Sequence, residues 1–165
     1  MEALRPQQTD EILRLLLAAG VEHVIVGGVA AIAWGSSELT RDLDVVIPFD
    51  VERITRLMTG LAPHRPKHMT RPDLGVITDS PERLAKFRML LITTDLGRID
   101  LLPEVQPIGN YDALVSRRVR MDLGGHEHHV IALDDLIAVK EHVARPKDLV
   151  VAAQLRAIRA RMRHP

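Results

Sequence analysis

Asp42 and Asp44 stand one residue apart in TRDLDVVI, Thr40 to Ile47, a run that is otherwise apolar and β-branched. Side chains of an extended strand alternate between faces, so Asp42, Asp44 and Val46 share one face while Leu43, Val45 and Ile47 share the other. Two such carboxylates lie roughly 6.5 to 7 Å apart at Cα, near enough for their oxygens to converge on one divalent cation or a pair of them. Without a cation they repel, and one is pushed toward protonation. Hard oxygen ligands in a chain with no cysteine favour Mg²⁺ or Mn²⁺ over zinc.

A bare D-x-D pattern also describes a solvated strand face or a helix cap, so the pair needs support from elsewhere. Gly27 and Gly28 stand between a strand-like and a helix-like segment, where bare backbone amides at a helix start can cradle phosphate oxygens. Asp100 lies in RIDLL, flanked by Ile99 and Leu101 that point away from it, and a carboxylate in a buried strand requires a partner.

The elements that must position these residues follow from periodicity and punctuation. Thr9 to Gly20 reads as an amphipathic helix with Thr9 or Asp10 as cap, Ile12, Leu13, Leu16 and Leu17 facing the core, and Gly20 as its stop. His23 to Val26 reads as a short buried strand, VAAIAWG as a brief helix closed by Gly35, and Pro48 ends the strand that carries Asp42 and Asp44. Asp50 caps a helix from Val51 to about Leu61, and Pro63 to Pro72 is a basic loop. Ser80 and Pro81 start a further short helix. FRMLLITT and RIDLL form a hairpin about Asp95 to Gly97, and VRMDL and HEHHVIAL a second about Gly124 and Gly125. Asp134 caps a helix through Val143, Pro146 interrupts it, and a last helix runs from about Lys147 to Arg163. The reading is one domain over residues 1–165, mixed α/β (α+β), with a helical segment over about 134–163.

Composition narrows the function classes. At 165 residues the chain suits one packed core. Lys plus Arg and Asp plus Glu number 22 each, so no overall cationic field draws it to nucleic acid. Trp34, Phe49, Phe87 and Tyr111 are too few for a base-stacking platform. MEALRPQQTDE lacks the plan of a signal peptide, and no apolar run approaches the roughly 20 residues of a membrane span. The expectation is a cytoplasmic protein with no membrane partner.

The order strand, GG, short helix, Gly, T-R-D-L-D, apolar strand and later a lone strand Asp resembles the nucleotidyltransferase superfamily that includes DNA polymerase β and the tRNA CCA-adding enzymes. The flavour is similar to the minimal bacterial group that includes the toxin enzymes of AbiE-type toxin–antitoxin pairs. The resemblance covers Val24 to Ile47, Asp100 by position, and DDLIAVKEHVARPKDL at Asp134 to Leu149. It implies a nucleotidyltransferase-like mixed sheet with flanking helices, and transfer of a nucleoside monophosphate from an NTP to a hydroxyl of a small molecule, protein side chain or RNA end. Asp42, Asp44 and Asp100 would bind Mg²⁺ or Mn²⁺, with Asp100 also helping to activate the attacking hydroxyl. Gly27, Gly28, Thr40 and Arg41 would line the triphosphate, Lys140 would approach the phosphates or the acceptor, and Asp148 matches a downstream aspartate. The resemblance also brings a toxin–antitoxin partner or tRNA into view, and with it the alternative of an interaction protein of this fold with little or no catalysis. A D-x-D phosphatase, the third reading, has no preceding GG turn.

Other features have plainer readings. Between Gly35 and Thr40 the chain reads SSEL where the group often carries basic residues, leaving Arg41 and the loop cations Arg65, Lys67 and Arg71 to compensate if that loop is more than a solvated connector. HEHH at His126 to His129 lacks zinc-helix spacing and a third ligand, and reads as an exposed hairpin tip. His64 and His68 fall among prolines, so no helix brings them together. Arg156, Arg159, Arg161 and Arg163 complement the dipole of the last helix, with tRNA or partner contact as the other reading. Trp34 reads as core packing on the short helix.

Overall fold

The structure, a computed structural model, describes residues 7–164. The opening residues, read above for the absence of a signal-peptide plan, lie outside the described residues as far as Pro6.

Among the described residues seven α-helices and nine strands follow in chain order: α1 (Thr9–Ala18), β1 (Val24–Val26), α2 (Gly27–Trp34), β2 (Asp42–Val46), α3 (Val51–Leu61), β3 (Lys67–His68), α4 (Pro81–Leu84), β4 (Leu90–Thr94), β5 (Gly97–Leu102), β6 (Glu104–Val105), β7 (Gly109–Asn110), α5 (Tyr111–Val115), β8 (Val119–Leu123), β9 (His126–Val130), α6 (Leu133–Val143) and α7 (Pro146–Arg163). Seven strands make one mixed sheet in the order β3-β4-β5-β2-β1-β9-β8, and β6 and β7 pair separately. The strand with the two aspartates is therefore central, antiparallel to β1 and parallel to β5. Val24, Ile25, Val45, Val46, Ile99 and Leu101 are fully buried, and the apolar face of α3 (Ile54, Leu57, Leu61) joins them in one core cluster.

Most expected elements form, for the expected reasons. Asp50 accepts a hydrogen bond from the Arg53 backbone N–H at the start of α3, and Ser80 does the same for Arg83 before α4. Gly35 closes α2 in the left-handed conformation, φ 110°. Trp34 is half-buried and its indole Nε1 donates to the Ile131 carbonyl at 2.9 Å.

Two caps differ. Gln8 precedes α1 and no side chain caps it, so neither Thr9 nor Asp10 serves. Ala132 occupies the cap position of α6, while Asp134 is already inside the helix and accepts from Arg159 of α7 at 2.7 Å. Arg163 also pairs with Asp134, and Arg156 with Glu141 of α6. Carboxylates of the neighbouring helix, more than the helix dipole, thus account for three of the four C-terminal arginines.

The basic segment after α3 is partly ordered as an edge strand, β3. Arg65 makes a bidentate pair with Asp95 at 2.8 Å, and Arg71 pairs with Asp73. His68 Nε2 lies 2.9 Å from Asp79, and its ring stacks on Phe87. The small pair β6 and β7 and the helix α5 carry no strong pattern in the sequence. Among the described residues no helix is long and apolar enough to cross a membrane.

Candidate active site

Strand register assembles the carboxylates. In the parallel pairing of β2 with β5, Asp42 stands opposite Arg98 and Asp44 opposite Asp100. In-register partners share a face, so all four side chains project from one side of the sheet. One ligand oxygen from each of Asp42, Asp44 and Asp100 lies within 4.8 Å of the others, and no other such cluster exists among the described residues. The opposite face behaves as alternation requires: Leu43, Ile99 and Leu101 are fully buried.

Asp42 and Asp44 are half-buried and Asp100 is only 6% exposed. Burial, then the charges of Asp42 and Asp100, push the Asp44 carboxyl up to about 7, against the opposing pull of Lys140 and Arg98. The site is short of positive charge. Three hard carboxylates converging at this spacing, one of them unable to ionise comfortably, fit a divalent cation of the Mg²⁺ or Mn²⁺ type.

The two glycines have a structural task beside any ligand. Val26 of β1 pairs with Asp44, which brings Gly27 directly against that carboxylate. A Cβ on Gly27 would sit 2.2 Å from Asp44 Oδ2, and the residue adopts φ +67°. A Cβ on Gly28 would sit 2.7 Å from Cβ and Oγ1 of Thr40. The Thr40 hydroxyl is 3.0 Å from Asp42 Oδ1 and positioned to donate to it. Each glycine thus leaves room for one carboxylate, directly or through Thr40. Val26, as N-cap of α2, supplies no side-chain acceptor, so the first-turn amides at Gly27 and Gly28 lack a capping partner. Phosphate oxygens could be received there.

The cationic wall comes from the helical third. Asp148, 2% exposed at the start of α7, accepts from Lys140 Nζ at 3.1 Å and from Arg145 Nε at 2.6 Å. Burial would raise the Asp148 carboxyl, but the hydrogen bonds from Arg145 and Lys140 outweigh it and hold it below the ordinary carboxylate range. Lys140 acts on Asp44 electrostatically, and Arg145, held charged mainly by Asp148, also feels Asp44 and Asp42. The sequence pattern gives Lys140 and Asp148; Arg145 and Arg98 are added by the fold. Arg41 is exposed at the entry to β2, and Arg65 and Arg71 are committed to their own carboxylates on the far edge of the sheet.

The SSEL segment is tied to α7. Ser36 Oγ donates to Gln154 Oε1 at 2.7 Å, and the Ser37 backbone N–H reaches the same oxygen. HEHH is only partly an exposed tip: His126 is exposed, but His128 is 2% exposed and packs on His23 with ring centroids 5.9 Å apart.

Two predictions follow from this geometry. Asp148→Asn removes the anion that holds a mostly buried lysine, so stability should fall by about 3 kcal/mol, the lower end for breaking a buried pair. Urea unfolding of the two proteins measures it, and an unchanged midpoint would refute the positioning role.

The second concerns pH. A carboxyl raised in the folded state keeps its proton longer than in the unfolded chain, so Asp44 costs stability as pH rises from about 4 to about 7. Buried His23, lowered to about 4 chiefly by desolvation, gives the opposite slope. The Asp44 contribution is therefore read as a difference: Asp44→Asn and wild type should differ least at low pH and diverge steadily from about pH 4 to about pH 7.5, with the variant more stable.

No family model matches the sequence, and no curated protein matches it. Solved structures do. The lincosamide antibiotic adenylyltransferase LnuA, solved with lincomycin bound, superposes with TM-score 0.62 at 13% identity, over 92% of this chain and 96% of that one. ANT(2")-Ia, solved in complex with adenylyl-2"-tobramycin, superposes with TM-score 0.54 at 14% identity, over 93% and 94% of the two chains. With its mixed seven-stranded sheet, flanking helices and C-terminal helices, the chain has the nucleotidyltransferase fold.

Proposed function

We propose that this protein transfers a nucleoside monophosphate from an NTP to a hydroxyl acceptor, with a divalent cation held by Asp42, Asp44 and Asp100. The observation that carries the reading is the convergence of those three carboxylates beside the uncapped start of α2. When bound, the cation would neutralise the phosphates and clamp the attacking and leaving oxygens for in-line displacement. The amides of Gly27 and Gly28 would receive phosphate oxygens. Lys140 and Arg145, fixed by Asp148, would offset the triphosphate charge from the helical side, and Arg41 would meet the nucleotide at the rim. Asp100 would complete the metal site and help to activate the attacking hydroxyl.

Among acceptors, a hydroxyl-bearing small molecule leads. Support comes from the likeness in fold and extent to an adenylyltransferase named for lincosamide antibiotics. An interaction protein of the same fold would have no use for three carboxylates that repel one another. The test is incubation with each of the four α-³²P-labelled NTPs, Mg²⁺, and separated small-molecule and macromolecular fractions of a cell lysate. A labelled product lost in Asp44→Asn is expected; no labelled product from any NTP in either fraction would overturn the proposal.

A further inference from the structure

The carboxylate cluster already holds a cation of its own. Arg98 sits on β5 two residues before Asp100, and its Nε and Nη2 donate to the two oxygens of that carboxylate at 2.7 Å each. The same Nε is 3.7 Å from Asp42 Oδ2. One guanidinium is thus bidentate on one candidate ligand and within ion-pair range of a second. Asp44, by contrast, has no ion pair among the described residues.

Two physical facts make this arrangement exchangeable. A carboxylate that accepts both arms of a guanidinium has its best-directed lone pairs occupied, so ligating a metal requires at least one of those bonds to break. A guanidinium and a divalent cation crowded within a few ångströms in a half-buried site also repel strongly. Arg98 cannot respond by losing its proton, since arginine stays charged in proteins. It needs another anion, and its fork matches phosphate as well as carboxylate. Its side chain is 34% exposed, which leaves it room to move. Lys140, 14% exposed and tied to buried Asp148, has less room to move.

We infer that Arg98 competes with the divalent cation for the Asp100 carboxylate and is handed over to the NTP phosphates when the cation binds, so that cation and nucleotide strengthen each other's binding. The inference rests on the nucleotidyl-transfer reading and deepens it: the site selects against metal without nucleotide. By linkage the coupling is reciprocal.

The experiment measures Mn²⁺ affinity of the nucleotide-free protein from the free-ion electron paramagnetic resonance signal, and binding of inorganic triphosphate at saturating Mn²⁺ by calorimetry. Wild type, Arg98→Met and Asp44→Asn are compared, with circular dichroism to verify folding. Arg98→Met should bind Mn²⁺ about tenfold more tightly than wild type and triphosphate about tenfold more weakly, a coupling of ordinary allosteric size. An arginine that merely supports the fold would weaken both. Folded Arg98→Met with unchanged or weaker Mn²⁺ binding overturns the inference. If Asp44→Asn abolishes Mn²⁺ binding in that case, the metal site stands and only the competition falls; if no protein of the set binds Mn²⁺, both fall. Should Arg98→Met fail to fold, Arg98→Gln, which keeps a donor and drops the charge, is read by the same criteria.

Discussion

Asp44→Asn should lower nucleotidyl transfer by about a thousandfold, equivalent to about 4 kcal/mol of lost transition-state stabilisation, while making the metal-free protein more stable at pH 7.5. The two effects have opposite signs for one reason. Asp44 is half-buried and pressed between Asp42 and Asp100, so its charge is a liability to the metal-free fold and an asset only when a cation neutralises the cluster. The amide keeps the shape of the side chain and removes that charge. Transfer assayed with the labelled NTP that wild type accepts, together with urea melts at pH 7.5, gives both numbers. A variant with near-wild-type turnover would remove Asp44 from the chemistry; one that is inactive and less stable would make it a structural residue.

Gly27→Ala should damage both stability and turnover. Its Cβ would fall 2.2 Å from Asp44 Oδ2, 2.8 Å from Cγ and 2.9 Å from Cβ, and no flexible neighbour can absorb that without moving the carboxylate. The φ of +67° adds backbone strain for any side chain. A stability loss of about 1 to 3 kcal/mol is expected. Turnover should fall by about a hundredfold or more, since a displacement of about 1 Å at a reacting centre has that effect. Gly28→Ala makes a useful contrast: its backbone carries no positive φ, and its Cβ meets Thr40, which can turn away at the expense of the hydrogen bond to Asp42. The expected order of activity is wild type, Gly28→Ala, Gly27→Ala. Equal activity of Gly27→Ala and wild type would show that the close approach is not needed.

The main helices, the central strand and both hairpins were legible because each carries local signals: period 3.6 in Ile12 to Leu16, β-branched runs at Val24 and Val45, glycine pairs at turns, and Pro48 and Pro146 as stops. The candidate site was legible in its carboxylates, since an aspartate inside an apolar strand is a local contradiction. What the sequence left unread depends on register. Nothing local states that Asp42 faces Arg98 across β2 and β5, or that Asp44 faces Val26 and hence Gly27. The glycines read as a phosphate cradle from their place between strand and helix; that they also make room for Asp44 and Thr40 appears only once β1 and β2 are paired. Asp134 reads as a cap because its spacing allows it, but α7 returns alongside α6 and offers Arg159 instead. His128 reads as an exposed tip because alternation alone cannot say that β9 lies next to β1 and buries that face against His23.

The order of strands β5-β2-β1 has a consequence for how the protein comes to be competent during folding. β1, α2 and β2 are consecutive, so the glycines and the first two carboxylates can meet through a short loop closure. Asp100 arrives only when the parallel pairing with β5 forms, after α3, β3, α4 and β4 have been threaded to the far side. Parallel pairing across a long connection is the slow kind of contact. The expected order of refolding therefore has a stage in which the dyad and its glycines are in place without the third acid. At that stage the cluster lacks both Asp100 and the Arg98 that travels with it, and ability to act on a nucleotide should appear as one of the last events of folding, together with protection from hydrogen exchange of the amides that join β2 to β5.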